Sequence, residues 1–159
     1  MTIEELTIRL KQEAESFNQN EPFASPMLQE QILLKDSFKE MLTVTLACGL
    51  AGEIINREKL ETLINSCFEK FPEILEYAKK DLVATVLRDP ACLGYLEPLL
   101  FFKGFQGLQA YRIAHALWKN NERFTAKMFQ SIISRKFGMD IHPAAQIGHG
   151  LLIDHATNI

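Results

Sequence analysis

The sequence predicts a mainly α fold: an all-helical domain over residues 1–138, then, over 139–159, the first coil of a left-handed parallel β-helix. Two patterns lead there. Up to Gly138 the chain is a succession of amphipathic stretches bounded by helix start and stop signals. Beyond it, isoleucine recurs at Ile141, Ile147, Ile153 and Ile159. That spacing of six fits neither the 3.6 period of a helix nor the 2 of an ordinary strand. It is the spacing of hexapeptide β-solenoids, where each repeat forms one short face of a coil and turns its aliphatic residue inward.

Thr2, with Glu5 three places on, forms a capping-box signature, and Ile3, Leu6 and Leu10 give the first helix its apolar stripe. Ser25-Pro26 reads as a second start, a cap followed by proline at the first helical position, and the helix MLQEQILL is expected to end near Asp36. A third, more apolar stretch, SFKEMLTVTLACGLAG, is predicted to close at Gly49 and Gly52. Asn56 is placed to cap REKLETLINSCFEKF, which Pro72 stops. EILEYAKKDLVATVL follows and ends at the Arg88-Asp89-Pro90 turn.

In GYLEPLLFFKGFQGLQAYRIAHALWKN, Phe105, Leu108, Tyr111, Ala114 or His115, and Trp118 fall on one helical stripe. Gly104 and Gly107 predict a helix start or the close approach of another backbone, because glycine weakens a helix interior by roughly 0.5–1 kcal/mol relative to alanine. Asn120-Asn121 breaks the chain before RFTAKMFQSIISRKF, a basic-edged helix that ends at Gly138.

Three six-residue faces close one triangular coil. Ile141, Ile147 and Ile153 are therefore expected to fill one layer, and Ile159 to start the next above Ile141. A solenoid repeat cannot bury its apolar side alone, and roughly three or more units are needed for stability. A single coil with no polar cap predicts a truncated β-helix, the N-terminal portion of a longer protein, with residues 141–159 frayed or held by another chain.

The bulk properties bound the function. At 159 residues and 47% hydrophobic content, the chain can bury the core of one ordinary domain. A net charge of −3 argues against nucleic acid, whose phosphates need a basic surface. No apolar run approaches the ~20 residues of a membrane span, since LEPLLFFKGF is short and broken by Pro98 and Gly104. The charged start MTIEELTIRLKQE is unlike a secretory signal, and Cys48, Cys67 and Cys92 are odd in number without a CxxC. A cytoplasmic protein with reduced thiols is expected.

Two segments, DPACLGYLEPLLFFKGFQGLQAYRIAHALW (Asp89 to Trp118) and DIHPAAQIGHGLLIDHATNI (Asp140 to Ile159), resemble the serine O-acetyltransferases of the hexapeptide-repeat acyltransferase group, in family order and at family spacing. Residues 1–88 agree with that family only in being helical, and departures inside the motifs are minor, such as Phe101-Phe102 before Lys103. The resemblance implies transfer of acetyl from acetyl-CoA to the hydroxyl of L-serine within a ternary complex, giving O-acetylserine for cysteine synthesis. It implies no permanently bound cofactor. It further implies a homo-oligomer, with trimers formed through β-helices and joined in pairs through the helical domains, and a downstream tail that docks on O-acetylserine sulfhydrylase.

The chemistry accounts for the residue types. A serine hydroxyl is a poor nucleophile, so a base must take its proton during attack on the thioester, and histidine, with an ordinary pKa of about 6.5, suits that role. By the resemblance His155 is that base, Asp140 orients its imidazole, and Asp89 and Asp154 hold the substrate serine. The family's further histidine, substrate-binding arginine, oxyanion donor and CoA groove lie downstream. Loss of an oxyanion donor alone can lower a rate by ~10²–10³, so the 159-residue chain by itself is expected to be inactive.

Plainer readings stand beside these. Asp89 before proline also suits a turn, Asp140 also suits a helix-junction cap, and a lone His155 or Asp154 also suits a solvent-facing solenoid position. His142, His149 and His155 invite a metal, but His149 and His155 share one phase on successive faces and point about 120° apart, so no metal site is expected. His115 reads as a packing residue, Cys92 has no base paired with it, and the aromatic cluster around Phe105 reads as core or subunit packing. Two alternatives to the acetyltransferase remain: a non-catalytic helical assembly module of a shortened paralogue, and a hexapeptide acyltransferase with another acceptor.

Overall fold

The computed structural model describes residues 1–53 and 55–159. Among them are eight α-helices and no β-strand. Helix α1 (Ile3–Asn20) begins with the capping box: Thr2 Oγ1 accepts the Glu5 N–H at 3.1 Å, and the Glu5 carboxylate accepts the Thr2 N–H at 2.8 Å. Its buried face is Leu6, Leu10 and Ala14.

Helix α2 (Ser25–Leu28) passes into a π-helical segment, Gln29–Leu33. Ser25 is not its cap. Ala24 holds that position without a side-chain bond, and the Ser25 hydroxyl instead donates to Asn18 Oδ1 at 2.7 Å. The helical path stops at Leu33, short of Asp36, because Ser37 is needed extended to cap α3 (Phe38–Leu50).

Helix α3 is the centre of the core, with Phe38, Met41, Leu42 and Leu46 fully buried. Gly49 does not close it. It lies inside α3 against the Phe137 ring, and closure falls at Ala51, which turns extended. Helix α4 (Arg57–Lys70) is capped as predicted, Asn56 Oδ1 accepting the Lys59 N–H at 3.0 Å. Pro72 ends that helix and starts α5 (Glu73–Arg88).

The long stretch after Pro90 is two helices, α6 (Leu96–Phe101) and α7 (Lys103–Lys119), parted at an extended Phe102. Gln106 bridges the break, donating to the carbonyls of Leu99 and Leu100 at 3.0 and 2.7 Å and so satisfying the end of α6. Helix α8 (Arg123–Phe137) packs back on α7 and ends in the left-handed Gly138, φ 70°.

Helix α7 is buried on nearly every side, because residues 139–159 lie across the face that α3 and α8 leave open. Ile141, Ile147 and Ile153 pack half-buried on the helical core, while Ile159 is exposed. Residues 139–159, expected as a β-helix coil, carry no strand, and the segment closes on itself where Ile159 accepts the Asp140 N–H at 2.7 Å and donates to the Gly138 carbonyl at 2.9 Å. These two bonds set Ile159 beside Met139, not above Ile141. The difference has a local cause: His155, Ala156 and Asn158 have φ of 54°, 43° and 58°, and such a left-handed turn uses chain without extending it.

Candidate active site

The C-terminal end of α5, the α6–α7 break and the segment Ile153 to His155 meet around a cavity of about 300 Å³. It is lined by Asp89, Phe101, Phe102, Lys103, Gly104, Ile153, Asp154 and His155. Three of the four residues singled out from the sequence, Asp89, Asp154 and His155, therefore come together from two distant segments.

Each is placed by a definite local device. Asp89 terminates α5, its N–H bonded to the Thr85 carbonyl at 2.9 Å, and its Oδ1 accepts the Ala91 N–H at 2.9 Å. The turn reading of Asp89 is thus correct for one oxygen. Oδ2 takes no hydrogen bond among the described residues, and the side chain is part of the cavity lining. His155 is the middle residue of a tight turn closed by the Ala156 N–H on the Asp154 carbonyl, 2.6 Å. Its Nε2 lies 3.5 Å from Asp154 Oδ1, and the two side chains are 89% and 68% exposed, so the pair is well hydrated and weak in itself.

Gly104 sets the depth of the cavity. A Cβ built there would lie 2.0 Å from the Ile153 carbonyl oxygen, so only glycine lets the C-terminal segment come this close to α7. Lys103, beside it, donates from Nζ to Thr157 Oγ1 at 3.2 Å.

Asp140 is not among the residues lining this cavity. Its Oδ1 accepts from Gln130 Nε2 at 2.6 Å, and its N–H closes the coil on Ile159. His142, His149 and His115 go to separate neighbours: His142 edge-on to Trp118 with centroids 5.0 Å apart, His149 against Tyr77 at 4.9 Å, and His115 Nδ1 2.7 Å from the Pro143 carbonyl oxygen. Among the described residues no group of three His, Cys, Asp or Glu side chains is arranged to hold a metal ion. No helix among them is long and apolar enough to cross a membrane.

A larger cleft of about 620 Å³ lies between α5, α7 and the coil, bordered by Tyr77, Tyr111, Arg112, His115 and Trp118. Two of its polar groups are engaged within the fold, Arg112 with Asp81 and the Gly148 carbonyl, and His115 with Pro143. The smaller cavity is the one that Asp89, Asp154 and His155 line together.

The residues that sequence reasoning passed over are Asp81 and Arg112. Asp81 Oδ2 accepts from Arg112 Nε and Nη2 and from Gln109 Nε2, and Oδ1 accepts the Leu151 N–H at 3.0 Å. Arg112 also reaches the Gly148 carbonyl at 2.8 Å. Together they tie α5 and α7 to the coil. Their signal was in the sequence: each is a charge on the buried stripe of its helix, Asp81 among Ile74, Ala78, Leu82 and Thr85.

Comparison with known proteins gives a consistent result. The family profile described as "Serine acetyltransferase, N-terminal" matches residues 7–110. Serine acetyltransferase 1, chloroplastic, of Arabidopsis thaliana is 40% identical over 156 residues, covering 98% of this chain and 50% of that protein. Serine acetyltransferase of Haemophilus influenzae is 39% identical over 150 residues, covering 94% and 56%. A solved serine acetyltransferase in complex with CoA superposes with a TM-score of 0.96 at 37% identity, covering 98% of this chain and 66% of that one. The chain spans about half the length of the curated relatives it matches.

Proposed function

The chain belongs to the serine acetyltransferase family, and we propose that it supplies the helical domain and the acceptor side of an enzyme that transfers acetyl from acetyl-CoA to the L-serine hydroxyl. The product, O-acetylserine, feeds cysteine synthesis. One observation carries this reading: Asp89 and the Asp154-His155 pair, from motifs far apart in sequence, line one cavity.

In the proposed mechanism the serine ammonium is held by Asp89 through its unoccupied Oδ2 and by Asp154. His155 takes the hydroxyl proton as serine Oγ attacks the thioester carbonyl; the C–S bond then breaks, and the imidazolium returns the proton to the CoA sulfur. Asp140 orients the imidazole, a role that requires its carboxylate to exchange Gln130 for His155. Acetyl-CoA is a co-substrate, and no bound cofactor or metal takes part.

Residues 1–138 act as an assembly and half-site domain, and 139–159 as the first coil of a left-handed β-helix. The paired bonds of Ile159 with Gly138 and Asp140 support the second assignment, because they follow the pattern of a parallel ladder. We propose a homotrimer through the β-helix, pairing of trimers through the helices, and a complex with O-acetylserine sulfhydrylase made by a segment outside this chain.

The test is thiol release from acetyl-CoA by the protein at the full length of its relatives. L-serine is expected to drive the release, with homoserine and amino sugars far less effective. Release that is independent of serine, or greater with another acceptor, overturns the assignment.

A further inference from the structure

We infer that Lys103 is a positioning residue: its ammonium, bonded to Thr157, fixes the left-handed turn that presents His155. The inference rests on the role of His155 proposed above, since a turn without a catalytic passenger would need no such control.

Three of the four residues from His155 to Asn158 have positive φ, at 54°, 43° and 58°. For residues other than glycine each such conformation is strained and persists only where surrounding contacts over-determine it. Inside the turn there is one short backbone bond, from the Ala156 N–H to the Asp154 carbonyl. Its far end is pinned by the two bonds of Ile159 to the start of the coil, and its near end by the Ile153 carbonyl on Gly104.

Between those two anchors, Lys103 supplies the side-chain link from the helical domain to Thr157. Its Nζ donates to Thr157 Oγ1 at 3.2 Å, and Thr157 Oγ1 in turn donates to the His155 carbonyl at 3.4 Å. Lys103 opens α7, a helix buried almost throughout, so the base of the lysine is rigidly held. It is half-buried and lines the same cavity as His155 and Asp89. The relay therefore runs from a fixed helix start, through one hydroxyl, to the backbone of the residue whose imidazole must meet the substrate. Displacement of a reacting group by about 1 Å can lower a rate roughly 10²-fold, so a single bond suffices to matter.

The experiment compares Lys103→Met, Lys103→Arg, Thr157→Val and the Lys103→Met/Thr157→Val double variant. Amide hydrogen exchange at Ala156 and Ile159, the two bonded amides that frame the turn, reads the turn itself and needs no activity. Both single substitutions are expected to speed exchange there, with Lys103→Arg close to the parent. Steady-state kinetics on the full-length protein are expected to show kcat falling roughly 10-fold or more with KM for serine nearly unchanged. The double variant should be no worse than the worse single one. Unchanged exchange in both single variants overturns the inference. So does a rise in KM on Lys103→Met alone with Thr157→Val silent, which would make Lys103 a direct substrate contact. If the parent protein releases no CoA with serine, the proposed function fails, while the exchange measurement still decides whether Lys103 orders the turn.

Discussion

Arg112 Nη2 lies 2.6 Å from Asp81 Oδ2, with the two side chains 4% and 0% exposed. The carboxylate accepts four bonds in all, one of them from the Leu151 backbone of the coil. A charge pair this deep has lost its water and gains stability only because the carboxylate's hydrogen-bonding capacity is filled, from α7 and from the C-terminal segment. It is thus both the buried electrostatic centre of the chain and the joint between the helices and the rung that leads to His155.

Replacing Arg112 by Met leaves Asp81 buried and uncompensated. Such a break typically destabilises by roughly 3–5 kcal/mol. Urea unfolding should show that loss for Arg112→Met and for Asp81→Ala, with the double variant less destabilised than the two singles summed. Additive losses would mean the two side chains do not act as a pair.

Gly104→Ala tests the contact between α7 and the coil. In an open helix position alanine gains about 1 kcal/mol over glycine. Here its Cβ would meet the Ile153 carbonyl oxygen at 2.0 Å, and overpacking against backbone costs typically 1–3 kcal/mol. The steric effect exceeds the propensity gain, so the variant should unfold at a lower temperature and lose serine-dependent activity. A Tm at or above that of the parent would contradict the close approach.

Burial pushes the Cys67 thiol up to about 11 from an ordinary 9.0, with Glu122 adding to the shift. The folded protein therefore keeps this proton in a range where the unfolded chain has released it. The associated stability is fully present below pH 9 and is lost as pH rises from about 9 through 11. Urea midpoints across that window should fall more steeply for the parent than for Cys67→Ala. At pH 8 the native thiol should resist Ellman's reagent. Equal slopes would remove Cys67 from the account.

Asn56→Ala deletes the cap on the Lys59 N–H and should destabilise by about 1 kcal/mol, read as a lower urea midpoint. A neutral result would mean water replaces the cap without loss.

Much of this was legible from sequence where the signal was local. The caps at Thr2 and Asn56 announce themselves by a polar side chain before an apolar stripe, and Gly138 by its place after one. Ser25 and Gly49 were misread because their partners, Asn18 and Phe137, lie on other helices. The break at Phe102 escaped because Gln106, which satisfies the carbonyls it exposes, looks like any polar helix residue. For the cavity, it was the family resemblance that pointed to Asp89, Asp154 and His155, all three of which line it. The six-residue spacing of the isoleucines misjudged the register of Ile159, since no such count anticipates three left-handed residues in one turn. Asp140 sits with Gln130, a neighbour that belongs to the tertiary fold and not to the motif.

His155 is the residue on which the proposed chemistry turns, and His155→Ala in the full-length protein is the most direct measurement. General-base catalysis contributes typically 10²–10⁴-fold, so serine-dependent CoA release should fall by that order while the unfolding free energy stays within about 0.5 kcal/mol of the parent, as for an exposed side chain. A variant that releases CoA with serine at the parent rate would contradict the assignment of this cavity as the acceptor site.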